Sequence, residues 1–381
     1  IAAALIMRYS ASKDYNAAAF KKLNINHVIM ILLTAFLAYA GFFLISNAHV
    51  MALTLCSMIA FSVLTLTLNT KWLFGSIASA IILCSPVASP ISIFNNSDVI
   101  LRDRNFFGVH KLLETDKERK FISGITDHGT QLLKEEDKLT RISYYSEHSP
   151  LTDVFNYLDK QETPQHIGGL GLGIGVIACY QHPNRSFDFY EIDKDVADLA
   201  ENTKYFTYLS DCGSPYEIFI GDGRLETAKQ NNAIYDAIVI DVFTSDNIPV
   251  HIITQEAIEM YLRKLKEDGI LVMHISNKYL DLEPVIHEIA KNINIPAYGK
   301  FVSKSFPIKD IGVNSYPAHY ITLTHSADAA TYITNHGWTP TMPREGVRAW
   351  TDQYSNILNV LGNYTAGIKR VQINADAGDA E

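Results

Sequence analysis

Three acidic residues each stand at the end of an apolar run of the kind that forms a buried strand. Glu191 follows FDFY, Asp222 follows EIFIG, and Asp241 follows YDAIVI. Ligands of an open parallel sheet bind outside the carboxyl ends of its strands, so these carboxylates are expected to line one crevice. A carboxylate accepts hydrogen bonds from hydroxyl and amino groups, and it can also take up a proton. The spacing therefore predicts a ligand site at this edge.

A glycine-rich turn precedes these acids. The run QHIGGLGLGIG places Gly169, Gly171 and Gly173 between a short apolar strand and an apolar segment with the character of a helix. Glycine allows close approach of the backbone to a ligand and permits positive φ. Strand, glycine turn and helix in this order are typical of a nucleotide-binding βαβ unit. Glu191 lies about twenty residues further on, where an acid accepts both ribose hydroxyls, which favours an adenosine ligand without a 2′-phosphate.

The acids also have structural interpretations. Glu191 could cap the helix that starts near Asp193, and Asp222 could belong to an ordinary Asp-Gly turn. Asp246, beyond Asp241, could be the N-cap of the next helix. If Asp241 and Asp246 instead share the mouth of the crevice, they form an anionic pocket. Beside an adenosine site, such a pocket suggests a cationic co-substrate.

Strand and helix patterns alternate from residue 165 to about 324. Helices are predicted at 196–208, 255–266 and 282–292, and strands at EIFIG, DAIVID, ILVMHIS and HYITLTH. This alternation predicts a doubly wound α/β sheet, with residues 165–381 as the ligand-binding domain. Residues 95–164 instead alternate apolar and polar positions around a charged turn, which predicts a β-hairpin or small antiparallel β domain.

Three apolar runs almost free of charge lie nearer the N-terminus. They cover residues 27–46, 49–68 and 72–94, and each is about long enough to cross a bilayer as a helix. We therefore expect transmembrane helices within residues 1–94, the alternative being three buried helices. Because the chain begins with Ile1 and a short apolar stretch, it is expected to be the C-terminal part of a longer membrane protein. The side of the membrane on which the soluble part lies is left open.

The net charge and the cysteine spacing argue against some classes of function. A net charge of -9 and a pI of about 5.8 argue against a nucleic-acid partner, whose phosphates call for a basic face. The four cysteines, Cys56, Cys84, Cys179 and Cys212, have no CxxC or metal-ligand spacing. This argues against a disulfide framework and against a zinc site.

Several segments together resemble the spermidine synthase family of polyamine aminopropyltransferases. They are IGGLGLGIG, YEID, GDGR and YDAIVIDVFTSDNIPVHIIT, followed by GILVMHISNKYLDLEP. The resemblance runs from about 102 to 361, from RDRNFFGV to AWTDQYSNILNVL, and it looks strongest to a bacterial branch in which such a domain follows transmembrane helices. It implies a Rossmann-like, class I methyltransferase-like fold and a multi-pass location in a bacterial cell membrane, with a homodimer as an open possibility.

In that family an amine attacks the methylene next to the sulfonium of decarboxylated S-adenosylmethionine, and methylthioadenosine leaves. The resemblance implies this co-substrate, no prosthetic group or metal, and putrescine or a related amine as acceptor. It makes Asp241 the catalytic aspartate with Tyr145 beside it, and Asp246 and Tyr144 the amine site. The residues implied to hold the sulfonium and the adenosine are Gln131, Glu191 and Asp222, with the glycines Gly169, Gly171 and Gly173. The two tyrosines could instead be ordinary core residues. For His148 and His274, a structural role is predicted rather than a catalytic one.

One departure from the family pattern keeps other functions open. Leu172 stands where soluble spermidine synthases have an aspartate that meets the amino group of the aminopropyl chain. In addition, four residues rather than two separate Asp241 from Asp246, and HGTQ at 128–131 matches the family motif loosely. The alternatives are a methyltransferase that uses ordinary S-adenosylmethionine and a non-catalytic membrane sensor of polyamines or nucleosides.

Overall fold

Two β-sheets carry the part of the chain that the computed structural model describes, namely residues 98–124, 126–243, 248–277, 279–308 and 313–362. The smaller sheet has four antiparallel strands in chain order. They are β1 (Asp98–Arg104), β2 (Val109–Glu114), β3 (Glu118–Ser123) and β4 (Thr126–Leu132). Leu112 and Phe121 lie opposite each other on β2 and β3 and are fully buried. The expected antiparallel sheet between residues 95 and 164 is confirmed.

The larger sheet has eight strands in the order β12-β10-β11-β9-β8-β5-β6-β7. Their bounds are β5 (Gln165–Leu170), β6 (Arg185–Glu191), β7 (Tyr216–Ile220), β8 (Tyr235–Ile240), β9 (Leu265–His274), β10 (Ala297–Val302), β11 (Ala318–Thr324) and β12 (Thr339–Pro340). Strands β5 to β9 pair in parallel, whereas β11 pairs antiparallel with both β9 and β10. The predicted doubly wound sheet is thus confirmed as α/β, and it is mixed. All six residues of β8 are buried, as expected for a central parallel strand covered on both faces.

Helices cover both faces of this sheet. They are α1 (Pro150–Leu158), α2 (Lys194–Glu201), α3 (Tyr208–Asp211), α4 (Gly223–Lys229), α5 (Gln255–Lys264), α6 (Glu283–Asn292) and α7 (Ala327–Thr334), with 3₁₀ turns at Val176–Cys179, Val250–Ile252 and Ile357–Val360. The helix predicted at 196–208 is two shorter helices, α2 and α3. The segment after the glycines is a 3₁₀ turn of four residues, so no regular helix follows the glycine turn directly.

One disulfide corrects the expectation from the cysteine spacing. Cys179 and Cys212 are bonded although 33 residues separate them. The bond joins the 3₁₀ turn after the glycines to the C-terminal end of α3, so it ties the segment beyond the glycine turn to a neighbouring element. Spacing rules address clustered cysteines, and this pair is brought together only by the fold.

The predicted multi-pass location in a bacterial cell membrane is wrong for the described part of the chain. None of the helices there combines the length and the apolar character that a bilayer crossing needs. The longest, α5 and α6, have 10 residues each, against about 20 for a spanning helix. The apolar runs on which the prediction was based, at 27–46, 49–68 and 72–94, lie outside the described residues.

Candidate active site

The glycine turn brings the ends of three strands together. Gly171 has φ +88° and Gly173 has φ +54°, in the left-handed region that favours glycine. The Gly171 amide donates to the Tyr190 carbonyl at 2.8 Å, and the Asp241 amide donates to the Leu170 carbonyl at 2.9 Å. A β-carbon on Gly171 would clash with the carbonyl oxygen of Asp241. The turn therefore fits only glycine at this point, and it packs directly on the strand end that carries Asp241.

A cavity of about 590 Å³ lies at this edge of the sheet, within the usual size range for small-molecule sites. Seven predicted site residues line it: Gly171, Gly173, Glu191, Asp222, Asp241, Tyr144 and Tyr145. Among the described residues that line it, five carry a carboxylate, namely Asp127, Glu191, Asp193, Asp222 and Asp241, and none is Lys or Arg. Lys120 pairs with Asp127 at 3.4 Å from behind the wall. The wall is nevertheless rich in carboxylates, which favours a cationic ligand.

Glu191 supports the glycine turn from the end of β6. Its Oε2 accepts from the Leu172 amide and its Oε1 from the Asp193 amide, both at 3.0 Å. Burial raises the pKa of Glu191 although these backbone amides oppose the rise. The N-cap of α2 is Asp193 rather than Glu191. A carboxylate has about four lone-pair sites, so Glu191 can accept from a ribose hydroxyl in addition to these amides.

Asp222 has both the structural and the site position that the sequence allowed. Its Oδ1 accepts from the Leu225 amide at 3.0 Å, so it is the N-cap of α4. Its Oδ2 lies 2.8 Å from Nε2 of His251, another residue of the cavity wall. The capping bond fixes the carboxylate at the edge of the cavity, where it could meet an amino group of a base.

Asp241 is held from two sides. Its Oδ2 accepts from the Tyr145 hydroxyl at 2.5 Å, and its Oδ1 lies 2.8 Å from Nδ1 of His274. Burial alone would raise the pKa of Asp241, but His274 and Tyr145 outweigh it and hold the pKa below its usual range. The pKa of Tyr145 is raised by burial and by Asp241, so its hydroxyl stays protonated as a donor. The result is an ionised, oriented carboxylate that can accept a further hydrogen bond.

The ring of Tyr144 lies near that of His274, with centroids 5.1 Å apart, and it is also 5.1 Å from the ring of Tyr316. It is therefore part of an aromatic wall rather than an isolated core tyrosine. His148 does not line the cavity and instead packs on Phe306 at 4.9 Å between ring centroids, as its predicted structural role requires.

Two of the predicted site residues that the structure describes, Gln131 and Gly169, do not line the cavity. Gln131 is buried on β4, where Nε2 donates to the Thr207 hydroxyl at 3.0 Å and to the Lys138 carbonyl at 3.1 Å. Its Oε1 accepts from the Thr207 amide at 3.1 Å, so its polar atoms position α3. Gly169 packs against the ring of Phe189, which leaves no room for a side chain. Asp246 lies outside the described residues.

Several wall residues were not predicted as site residues, and one of them, His274, was predicted to have a structural role. His274 ends β9, so the rule that selected the three acids would have selected it too, because β9 is parallel to β8. Asp127 and His128 reach the cavity from β4, and Phe107 reaches it from the turn between β1 and β2. No local pattern signals their position, since it depends on how that sheet packs against the glycine turn.

Comparison with known proteins gives a partial match. No family model matches the sequence. The chain is 28% identical to a polyamine aminopropyltransferase of Vibrio vulnificus (strain CMCP6) over 149 residues. The aligned residues make up 38% of this chain and 47% of that protein. The chain is similar to the spermidine synthase family. It spans about half the length of the curated relative that it matches.

Two solved structures are similar to the chain. A probable spermidine synthase from Corynebacterium glutamicum ATCC 13032 has a TM-score of 0.50 and 15% identity, over 68% of this chain and 98% of that one. A spermidine synthase from Thermotoga maritima has a TM-score of 0.43 and 17% identity, over 72% and 88%. The first similarity shows that the mixed α/β sheet has the methyltransferase-like arrangement of a spermidine synthase fold, as the sequence predicted.

Proposed function

We propose that this protein is a spermidine synthase-like aminopropyltransferase. It would move the aminopropyl group of decarboxylated S-adenosylmethionine to putrescine or a related amine, without a prosthetic group. The observation that carries the proposal is the charge of the cavity wall: five carboxylates and, among its described residues, no Lys or Arg. Both substrates are cations, since one carries a sulfonium and an ammonium and the other carries ammonium groups. The match to a polyamine aminopropyltransferase supports the same reading.

The proposed reaction is a single displacement. The acceptor nitrogen attacks the methylene carbon next to the sulfonium, a carbon–nitrogen bond forms, the carbon–sulfur bond breaks, and neutral methylthioadenosine leaves. An ammonium nitrogen has no free lone pair, so the acceptor loses one proton before the attack, and Asp241 would accept that proton because its carboxylate is ionised and fixed in the cavity wall. Tyr145, bonded to Asp241 at 2.5 Å, would keep that carboxylate aimed at the amine.

The adenosine half would lie against the glycine turn. Glu191 would accept the ribose hydroxyls and Asp222 the amino group of the base, because each keeps lone pairs beyond its backbone contacts. Tyr144 would contact the acceptor amine. The wall positions of Gly171 and Gly173 would let the nucleoside approach the backbone. Holding both substrates in one orientation supplies much of the rate in such a displacement.

Two predicted residues have a weaker place in this scheme. Gln131 would act indirectly through α3, since its amide is bonded to Thr207. Asp246, as a second anchor for the amine, remains a proposal from the sequence.

A methyltransferase is the second candidate, because Leu172 lines the cavity where an acid would select the aminopropyl amine. Against it, the carboxylate of ordinary S-adenosylmethionine would meet no Lys or Arg among the described wall residues. Such a carboxylate would be repelled by its acidic neighbours.

The direct test is turnover by the purified full chain. Decarboxylated S-adenosylmethionine is incubated with putrescine, spermidine and cadaverine in turn, and methylthioadenosine and the extended amine are measured by mass spectrometry. We expect equimolar formation of both products with at least one amine, and a large loss of both in Asp241→Asn. Folded protein that binds methylthioadenosine but forms neither product with any of the amines would refute the proposal.

A further inference from the structure

His274 has contacts that give it more than a structural role. Resting on the function proposed above, we propose that His274 is a positioning residue: its Nδ1–H holds Oδ1 of Asp241 and thereby aims the carboxylate at the acceptor amine. Its Nδ1 lies 2.8 Å from that oxygen. Tyr145 donates to the other oxygen, so both carboxylate oxygens are hydrogen-bonded.

The imidazole ring is fixed by the register of the sheet. His274 on β9 lies opposite Tyr320 on β11, and the two rings stack with centroids 4.4 Å apart and planes 9° apart. Phe243 meets the imidazole ring edge-on at 4.9 Å. His274 is only 3% exposed. The ring therefore has little freedom to rotate, and its hydrogen bond to Asp241 is fixed by the packing of the sheet.

A second contact assigns the proton on the ring. The Ser276 hydroxyl oxygen accepts from the His319 amide at 2.9 Å and lies 2.7 Å from Nε2 of His274. Because the Ser276 oxygen accepts from that amide, the Ser276 hydroxyl hydrogen can be donated to Nε2 of His274. In this arrangement Nε2 is an acceptor and Nδ1 carries the hydrogen, which then points at the carboxylate of Asp241.

This hydrogen-bond order separates positioning from proton transfer. Both ring nitrogens of His274 are engaged, one with Asp241 and the other with Ser276, so neither is left for the substrate amine. Asp241 keeps one further lone pair on each oxygen. The amine proton therefore goes to Asp241, and His274 acts only through the orientation and ionisation of that carboxylate.

The test compares two substitutions of nearly equal shape. His274→Asn places an amide N–H close to the position of Nδ1, whereas His274→Leu offers no donor. We expect kcat to fall roughly 10- to 100-fold in His274→Leu, the range for loss of a hydrogen bond to a charged group. In His274→Asn it should stay within a few-fold of the wild type. The affinity for methylthioadenosine should be unchanged in both, which serves as the control for folding.

Equal losses in the two variants would overturn the proposal, because the donor would then not matter. A fall in methylthioadenosine affinity that parallels the fall in kcat would also overturn it, since the histidine would then act on the whole cavity. Ser276→Ala offers an independent check. Its kcat should fall less than that of His274→Leu, and a larger fall would contradict the assigned order of contacts.

Nitrogen NMR of the full chain labelled at its 13 histidines separates this inference from the proposed function. The resonances of His274 are identified by their loss in His274→Asn. We expect the hydrogen on Nδ1, and a change at Nδ1 when Asp241 is replaced by Asn. If these signals appear but no amine is a substrate, the proposed function fails and the positioning contact stands. If turnover is observed but the hydrogen is on Nε2, the inference alone is overturned.

Discussion

Replacing Asp241 by Asn tests how the carboxylate works. Its two oxygens accept from Tyr145 at 2.5 Å and from His274 Nδ1 at 2.8 Å. An asparagine has no charge and keeps only one acceptor oxygen, because an NH₂ group replaces the other, so one of the two contacts can no longer be a bond to a carboxylate oxygen. One hydrogen bond to a charged group is lost, at a cost of about 1.5–3 kcal/mol, and the proton acceptor is removed. Loss of a general base typically lowers the rate by about 10²–10⁴-fold.

The stability of this variant should also depend on pH in a defined direction. The pKa of Asp241 is lower in the folded state than its ordinary value. Its ionised form therefore stabilises the fold above the unfolded pKa of about 3.9, and this contribution is lost as the pH falls through the lower folded pKa. We expect Asp241→Asn to be less stable than the wild type at pH 7 and the difference to narrow as the pH falls below about 4.

The assay measures methylthioadenosine release, affinity for methylthioadenosine by calorimetry, and urea unfolding. Asp198→Asn is the matched control, because Asp198 is exposed on α2 and pairs with Lys194 away from the cavity. We expect kcat to fall at least 100-fold in Asp241→Asn with nucleoside affinity within threefold, and no change in the control. A kcat within tenfold of the wild type, in protein that still binds the nucleoside, would refute the reasoning.

Three further substitutions test the wall of the cavity. Gly171→Ala should be less stable in urea than Gly213→Ala. Both positions have positive φ, but only a β-carbon at Gly171 would clash with the Asp241 carbonyl. Equal losses of stability, each about 1–2 kcal/mol for the backbone alone, would contradict this. Glu191→Gln should raise the Kd of methylthioadenosine roughly 10- to 100-fold. Burial raises the pKa of Glu191, so its carboxylate takes up a proton at a higher pH than an ordinary glutamate does. As the pH is lowered, nucleoside binding by the wild type should therefore weaken before the ordinary range of glutamate pKa values is reached. Calorimetry on Glu191→Gln should show no such weakening. Leu172→Asp should raise the preference for decarboxylated over ordinary S-adenosylmethionine in a competition assay, and an unchanged ratio would contradict the role given to this wall position.

The strand-end rule explains why much of the site could be predicted from the sequence. Glu191, Asp222 and Asp241 follow strands that are parallel neighbours, or nearly so, in the sheet, and the carboxyl ends of such strands meet at one edge. The glycine turn was predicted from the order of strand and glycines, and the structure adds a reason for Gly171, where a β-carbon would clash with the Asp241 carbonyl. These are local patterns whose consequences follow from sheet geometry alone.

Other features depend on contacts between segments far apart in the chain. Gln131 was placed in the nucleoside site by resemblance, whereas the packing of β4 on α3 bonds it to Thr207. The bond between Cys179 and Cys212 likewise requires the folded chain. The sequence pattern predicted one helix at 196–208, but Asn202 ends α2 as its C-cap and a turn follows before α3.

Competition between the two possible donors tests the proposed aminopropyl transfer most directly. The purified full chain is given equimolar decarboxylated and ordinary S-adenosylmethionine together with putrescine, and both nucleoside products are followed by mass spectrometry. An acidic cavity wall without Lys or Arg among its described residues predicts that methylthioadenosine accumulates with the longer amine and that S-adenosylhomocysteine does not. Accumulation of S-adenosylhomocysteine with a methylated amine, and no methylthioadenosine, would contradict the account.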